Sequence, residues 1–367
     1  MSGAADGARR PRRWWFVVRK YPPAVGGMEL LSYNVVSRLS VRHPVTVVPM
    51  RARAWMLPWF LVSSAARVTI ACLRGDIGLL HVGDPVLAPL ALIARLFGIP
   101  CSVTLHGLDV VYERGVYPLW RRVFLRGFDA YIAISEATRD AALRIHIPAD
   151  RIHVIGIGID VPAEVAQSTT RDTSIILFVG RLVRRKGLGW FVAEVLPVLA
   201  ARYADLKLVV LGDGPERAAI AEMAISRNVG DRIVWLGKRS DAEKATWFAK
   251  AGVCVMPNIV VHGDMEGFGI VALEAAAAGC PVVAANLEGL RDAVTDGESG
   301  VLAPSGDGPA WISAIHALLS DARLNAAFGR RARDHVRLTR RWAPIVDAYY
   351  EVLSRTAKHG GGKRFSA

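Results

Sequence analysis

The sequence predicts an α/β chain of two doubly wound domains facing a deep interdomain cleft. Three observations predict it. Short apolar runs alternate with longer amphipathic stretches from Trp14 to Ile155. The rhythm breaks over 160–174, the polar segment DVPAEVAQSTTRDTS. It restarts at Ile175 and continues towards the C-terminal end. Such a βαβ rhythm gives a parallel sheet covered by helices on both faces. Two such units in 367 residues match a prior of about 150 residues per domain.

In the first half, strands are expected over 14–18, 45–48, 78–82, 101–105, 130–134 and 152–155, with helices over 28–40, 55–73, 86–97, 117–127 and 136–145. The segment 160–174 lacks an apolar period and reads as the linker. Beyond it, strands are expected over 175–179, 207–211, 233–236, 253–256 and 281–284. Helices follow over 188–203, 215–227, 240–249, 268–279, 308–320, 322–336 and 341–355. The expected division is a first domain over 1–162, a second over 163–340, a terminal helix over 341–358 and a flexible tail over 359–367.

Composition excludes a disordered chain, because 52% of residues are hydrophobic and 22% charged. The net charge of +13 attracts anions of any kind. Four of the positive charges lie in the segment 9–13, which reads as a solvated tail. Cys72, Cys101, Cys254 and Cys280 form no Cys-x-x-Cys pair and read as buried thiols. With no visible signal peptide and no apolar run of roughly 20 residues, a cytoplasmic protein is expected, with any membrane contact peripheral.

The most informative segment is Glu266-Gly267-Phe268-Gly269-Ile-Val-Ala-Leu-Glu274. Its glycines sit where a helix should begin, so backbone N–H groups can approach a diphosphate. Glu274 falls inside that helix among small apolar neighbours, where an acid needs a partner or a ligand; a carboxylate can hold two vicinal ribose hydroxyls. Glu266, ahead of the helix, can take sugar hydroxyls. In Gly180-Arg181-Leu-Val-Arg-Arg-Lys186-Gly187, after an apolar strand, Arg181 can clamp phosphate bidentately and Lys186 adds a point charge. Arg184 and Arg185 read as a solvated basic turn. Gly26-Gly27 follows the first strand and reads, more weakly, as a phosphate-approaching loop. His106, at the end of a strand and followed by Gly107 and Asp109, can donate to a sugar hydroxyl or handle a proton.

Taken together, these motifs resemble the family 4 retaining glycosyltransferases, which have the GT-B fold of two Rossmann-like domains. The resemblance runs from about Tyr21 to about Tyr350 and rests first on Glu266-x7-Glu274, then on Gly180-Arg181 with Lys186-Gly187. Three segments depart from the family pattern: Gly156-Ile157-Gly158 before the linker, Glu288-Gly289-Leu-Arg-Asp292 in place of a Gly-Gly-x-Pro-Glu turn, and a longer 258–265. The resemblance implies that Arg181 and Lys186 bind the donor diphosphate, Glu274 the ribose, and Glu266 the transferred sugar. It places Gly27 on the phosphates and His106 near the reacting sugar. It implies a UDP- or GDP-linked sugar donor of mannose or glucose type and a glycan or lipid-linked acceptor, in cell-surface polysaccharide or glycolipid assembly. No separate cofactor and no essential metal are expected, because the basic clamp replaces a divalent ion; Asp264-Met265-Glu266 is only a faint Asp-x-Asp.

Three other classes compete. An epimerase of similar fold would need no acceptor, and the Glu-x7-Glu spacing argues against it. A non-catalytic scaffold would be expected to lose Arg181, Lys186 or Glu274, and all are present. A nucleic-acid binder rests on charge alone, and the basic residues are dispersed. The mix of Trp120, Arg121, Arg122, Phe124 and Arg126, and a second aromatic patch at Trp55, Trp59 and Phe60, suit the inner face of an anionic membrane as well as they suit packing onto the first domain.

Overall fold

The computed structural model describes residues 12–23, 26–51, 54–161 and 171–360. Segment 9–11 of the basic stretch, most of the expected linker (162–170) and the tail residues 361–367 lie outside the described residues. The chain divides into two compact units. The first holds the chain up to Ile134, then Arg139–Ile155, then the chain from Val346; the second holds Ser135–Thr138 and Gly156–Ile345.

The first unit contains a parallel sheet of β1 (Arg13–Val18), β2 (Val45–Pro49), β3 (Ile77–Val82), β4 (Cys101–Leu105), β5 (Ala130–Ala133) and β6 (Ile152–Val154). Their spatial order is β2-β1-β3-β4-β5-β6. The second contains β7 (Asp172–Val179), β8 (Lys207–Leu211), β9 (Ile233–Gly237), β10 (Ala251–Met256), β11 (Val282–Ala285) and β12 (Val301–Ala303), in the order β12-β11-β10-β7-β8-β9. All pairings are parallel. A strand covered on both faces reads as an unbroken apolar run, and every residue of β4 and β10 is buried.

The order of the strands locates the ligand edges. In the first unit the chain leaves β1 for β2 on one side and returns to β3 on the other. In the second it proceeds through β8 and β9 before β10 pairs with the opposite side of β7. The carboxyl ends at such reversals form the crevices where open α/β sheets bind ligands. For the second unit, those ends lead into 180–187 and 257–266.

Several elements differ from expectation. Asp172–Ser174, expected as linker, extends β7, because Asp172 pairs with Ala251 of β10. The helix expected over 188–203 is interrupted by a π turn, Phe191–Val195, immediately before Leu196–Arg202. Pro197 has no N–H for the i→i−4 ladder, so the turn ahead of it widens. Strand β12 and the helices Leu108–Val111 and Leu290–Ala293 are too short to show a period in sequence. The last helix, Trp342–Gly360, contributes to the first unit from Val346 onwards: Tyr350 lies 5.5 Å from the Trp14 ring, Asp347 pairs with Arg42, and Tyr349 and Leu353 are buried. All four cysteines are buried and free, and burial pushes the Cys72 and Cys280 thiols up to about 11. No helix among the described residues is long and apolar enough to cross a membrane.

Candidate active site

The loop after β7 turns through Arg184–Lys186 and closes on Gly187, whose φ of 66° lies in the left-handed region. A Cβ there would sit 1.8 Å from the Pro257 carbonyl oxygen, so only glycine lets this turn lie against the segment leaving β10. The Ile259 N–H donates to the Arg185 carbonyl at 3.0 Å, fastening the same two segments. The turn therefore points inwards. Arg185 and Lys186 are both buried, each only 8% exposed, whereas Arg184 and Arg181 stay at the surface. This corrects the reading of Arg185 as part of a solvated turn.

Both buried cations meet Glu266. Its Oε2 accepts from Lys186 Nζ, from Arg185 Nη1 at 2.5 Å and from Asn258 Nδ2 at 3.0 Å. Burial alone would raise the Glu266 pKa, but Lys186 and Arg185 outweigh it and hold the carboxyl at about 2. The Arg185 Nε reaches Asp264 Oδ1 at 3.0 Å, which ties the longer 258–265 segment to the same cation. Glu266 Oε1 has no partner among the described residues.

A third carboxylate borders this cluster. Glu288 Oε2 accepts the Glu266 backbone N–H at 2.6 Å, and Gly289 returns its N–H to the Glu266 carbonyl at 3.1 Å. Burial pushes the Glu288 carboxyl up to about 7, and the nearby Glu266 charge adds to the rise. Glu288 also has a φ of 48°, a left-handed conformation in which few side-chain-bearing residues are found.

Gly269, at φ 84°, precedes the helix Ile270–Ala277. A Cβ on Gly269 would lie 2.4 Å from Leu290 Cδ2, and one on Gly289 would lie 2.2 Å from the Gly267 carbonyl oxygen. Gly267, the buried Phe268 and Gly269 are thus held against the segment after β11. Glu274 lies in the helix, and its Oε1 pairs with Lys244 at 2.9 Å. Its Oε2 is buried with no hydrogen-bond partner among the described residues. Burial raises the Glu274 pKa, with Lys244 opposing it. A carboxylate with one buried, unspent oxygen is half of a hydroxyl-binding fork.

In the first unit, His106 follows β4. Its Nε2 lies 2.8 Å from the Gly83 carbonyl, which can only accept, so Nε2 carries the proton and Nδ1 is the acceptor of the neutral ring. Asp109 folds back and takes the His106 backbone N–H on both oxygens, at 2.9 and 3.0 Å. Burial pushes the Asp109 carboxyl up to about 6. His81, with Ser102 at 2.9 Å and Thr104 at 3.2 Å on its two nitrogens, is held neutral by burial, which lowers its pKa to about 3. A pocket lined by Phe16, Val18, His81, Gly83, Thr104 and His106 lies at this end of the sheet. Gly26 and Gly27 open the first helix, and a Cβ on Gly26 would meet Glu29 Oε2 at 2.5 Å. Ala24 and Val25 of that loop lie outside the described residues.

The structure thus joins Lys186 and Glu266 directly, puts Gly180 and Arg181 at the start of the same loop, and seats Glu274 with a partner of its own. The sequence reading missed Arg185, Asn258, Lys244 and Glu288. Arg185 looked like one more surface cation, and Asn258, Lys244 and Glu288 are far from it in sequence. Only the unusual Glu288-Gly289 turn carried a signal.

Residues 8–158 match the glycosyl transferase 4-like domain, and residues 173–321 match glycosyl transferases group 1. The chain is 31% identical over 312 residues to the GDP-mannose-dependent alpha-(1-6)-phosphatidylinositol monomannoside mannosyltransferase of Mycolicibacterium smegmatis, covering 80% of this chain and 78% of that protein. It is 29% identical over 353 residues to the phosphatidyl-myo-inositol mannosyltransferase of Mycobacterium leprae, covering 94% and 89%. In fold it is similar to sucrose-phosphate synthase from Thermosynechococcus elongatus, with a TM-score of 0.77 at 22% identity over 95% of this chain and all (100%) of that one. It is also similar in fold to Anabaena HepE solved with UDP, with a TM-score of 0.70 at 18% identity over 94% and 100%. With both halves of the sequence matched and the two parallel sheets shared, this chain belongs to the group 1 glycosyltransferases of the family 4 type and is a glycosyltransferase.

Proposed function

We infer that this glycosyltransferase moves a hexose of mannose or glucose type from a nucleoside-diphosphate sugar to a lipid-linked or glycan acceptor, with retention at the anomeric carbon. The observation that carries the donor reading is the group at the carboxyl ends of β7 and β10. Lys186 and Arg185 converge on Glu266 there, beside the glycines that open the Glu274 helix. The activities for which the two mannosyltransferase relatives are named support a hexose and a lipid acceptor.

In this reading the diphosphate is held by Arg181, Lys186 and the backbone around Gly180 and Gly267–Gly269. The Arg181 side chain has no ion-pair partner among the described residues, so its fork is free for phosphate oxygens. As the glycosidic bond breaks, negative charge grows on the leaving diphosphate, and fixed cations and N–H groups stabilise it without reorganising. Glu274 Oε2 takes a ribose hydroxyl. Glu266 holds the transferred sugar, and its ionised state favours the developing oxocarbenium ion. In the first unit, Gly26 and Gly27 serve the phosphates and His106 serves the reacting sugar, its Nδ1 accepting a hydroxyl hydrogen. The acceptor oxygen attacks from the side the diphosphate leaves. No divalent ion is required, because the cationic clamp supplies the positive charge; full activity in chelator tests this.

A cytoplasmic enzyme at the inner membrane face accords with the helix Leu57–Leu73, which exposes Trp59 (68%), Val62, Ile70 and Leu73 along one side together with Arg67. Co-sedimentation with anionic but not neutral vesicles is the expected result, and no binding at low salt counts against it.

The first test is calorimetric titration with UDP, GDP and ADP, beside Glu274→Ala. One nucleotide should bind, and the variant should lose about 1.5–3 kcal/mol of affinity. Equal binding by the variant rejects the ribose role, and no binding by either protein rejects the donor site.

A further inference from the structure

We propose that Lys244 is a positioning residue for the nucleotide: it takes one oxygen of Glu274, fixes that carboxylate, and so keeps the other oxygen ready for the ribose hydroxyls. The proposal rests on the reading of Glu274 as the ribose carboxylate. It begins from how the ammonium is held. Lys244 Nζ donates to Glu274 Oε1 at 2.9 Å and pairs with Asp241 Oδ1 at 3.0 Å. A lysine head on its flexible four-carbon stem is poorly fixed by one acid and well fixed by two. Its backbone is held as well. The Lys244 N–H donates to the Ser240 carbonyl at 2.9 Å, at the start of the helix Asp241–Lys250. A capping box locks that turn: Ser240 Oγ accepts the Glu243 N–H at 3.3 Å, and Glu243 Oε2 accepts the Ser240 N–H at 3.0 Å. Lys244 therefore reaches Glu274 from a fixed base.

A bridge that served only to join two helices would leave both carboxylate oxygens paired or in water. Glu274 does neither with Oε2, which is buried without a hydrogen-bond partner among the described residues. Such an oxygen is costly until a donor meets it, and a hydroxyl is a donor. The terminal torsion of a glutamate is broad, so a carboxylate with no anchor turns freely between its two oxygens. The Lys244 bond to Oε1 removes that freedom. It also acts on charge. Burial raises the Glu274 pKa, Lys244 opposes the rise, and Asp241 adds to it. The ammonium thus favours the ionised carboxylate, the form that accepts on both oxygens.

The test uses the full-length protein with Lys244→Met, Lys244→Gln, Lys244→Arg and Glu274→Ala, each checked for folding by its thermal midpoint. Calorimetry compares UDP, GDP and ADP with their 2′,3′-dideoxy counterparts. The wild type should bind its accepted nucleotide at least about tenfold more tightly than the dideoxy form. Lys244→Met should shrink that ratio to about threefold or less, with affinity for the dideoxy form unchanged. Lys244→Gln should do the same, and it supplies the reading if the methionine variant unfolds. Lys244→Arg, which keeps the charge, should keep most of the ratio. An unchanged ratio in the folded methionine or glutamine variant overturns the positioning role, even if the thermal midpoint falls, and makes Lys244 a structural brace. Equal loss for both nucleotide forms also overturns it and assigns Lys244 to the base or the phosphates. A full ratio in Glu274→Ala removes the ribose reading and this proposal with it. Failure of the wild type to bind any nucleotide removes the donor site and both readings.

Discussion

Arg185 bridges Glu266 and Asp264, with one guanidinium nitrogen 2.5 Å from the first carboxylate and another 3.0 Å from the second. One cation thus fixes both the buried acid and the segment that leads to it. Removing it takes one of three partners from Glu266 Oε2 and leaves the buried Asp264 Oδ1 without its cation, which costs more than the pair itself contributes. Arg185→Ala should lower unfolding free energy by about 3 kcal/mol in urea titration. Arg184→Ala, one residue away but exposed, should stay within about 0.5 kcal/mol of wild type. Equal small effects would mean that Arg185 is solvated after all.

Acid should expose the same cluster. Glu266 is held at about 2, below the ordinary carboxylate range, so its contribution is present above that ordinary range and is lost as pH falls towards about 2. Stability measured by denaturant should therefore drop on the acid side. Glu266→Gln should flatten that drop; an unchanged slope would place the acid sensitivity elsewhere.

The opposite sign applies to Glu288 and Asp109, pushed up to about 7 and about 6. The native state binds these protons more tightly than the unfolded chain does. Their contribution is therefore present at low pH and is lost as pH rises through those values. Stability should decline gently from mildly acidic to neutral pH. Asp109→Asn combined with Glu288→Gln should reduce the decline, leaving the share of Glu274 and Asp292, whose carboxyls burial also raises; a decline of unchanged size would place it in those other groups.

Backbone approach makes Gly187 sensitive to substitution. Gly187→Ala adds a Cβ 1.8 Å from the Pro257 carbonyl at a left-handed φ of 66°. It should cost at least about 2 kcal/mol of stability and weaken nucleotide binding, since Lys186 is adjacent. Gly297→Ala is the control, because its Cβ meets nothing within 4 Å although its φ of 74° is also left-handed. Its cost should stay near about 1 kcal/mol, with nucleotide binding intact. Comparable losses of binding in both variants would reject the close-approach argument.

His106→Ala should lower kcat by at least about a hundredfold if His106 handles a proton in the reaction, with nucleotide affinity unchanged. A change confined to nucleotide affinity would reassign His106 to binding. His81→Ala should instead act through stability, because both its nitrogens are spent on buried hydroxyls.

The sequence by itself determined the two α/β units, most of their strands and the donor-binding candidates. A strand buried on both faces must be an apolar run such as 101–105 or 207–211, and a helix start packed this closely against another segment must show its glycines, as 267–269 does. These signals are local, and they survive without the rest of the chain. Only the tertiary structure decided which cation meets which acid. Arg184 and Arg185 are neighbours of the same type, yet the turn closed by Gly187 sends one to solvent and the other to Glu266 and Asp264. Lys244 gains its role from the helix before β10, and Asn258 and Glu288 from the segments after β10 and β11, brought together by the fold. Chemical identity is written in the residues, whereas burial and pairing arise when the sheet carries distant loops to a common edge and the low dielectric there makes each unpaired charge costly.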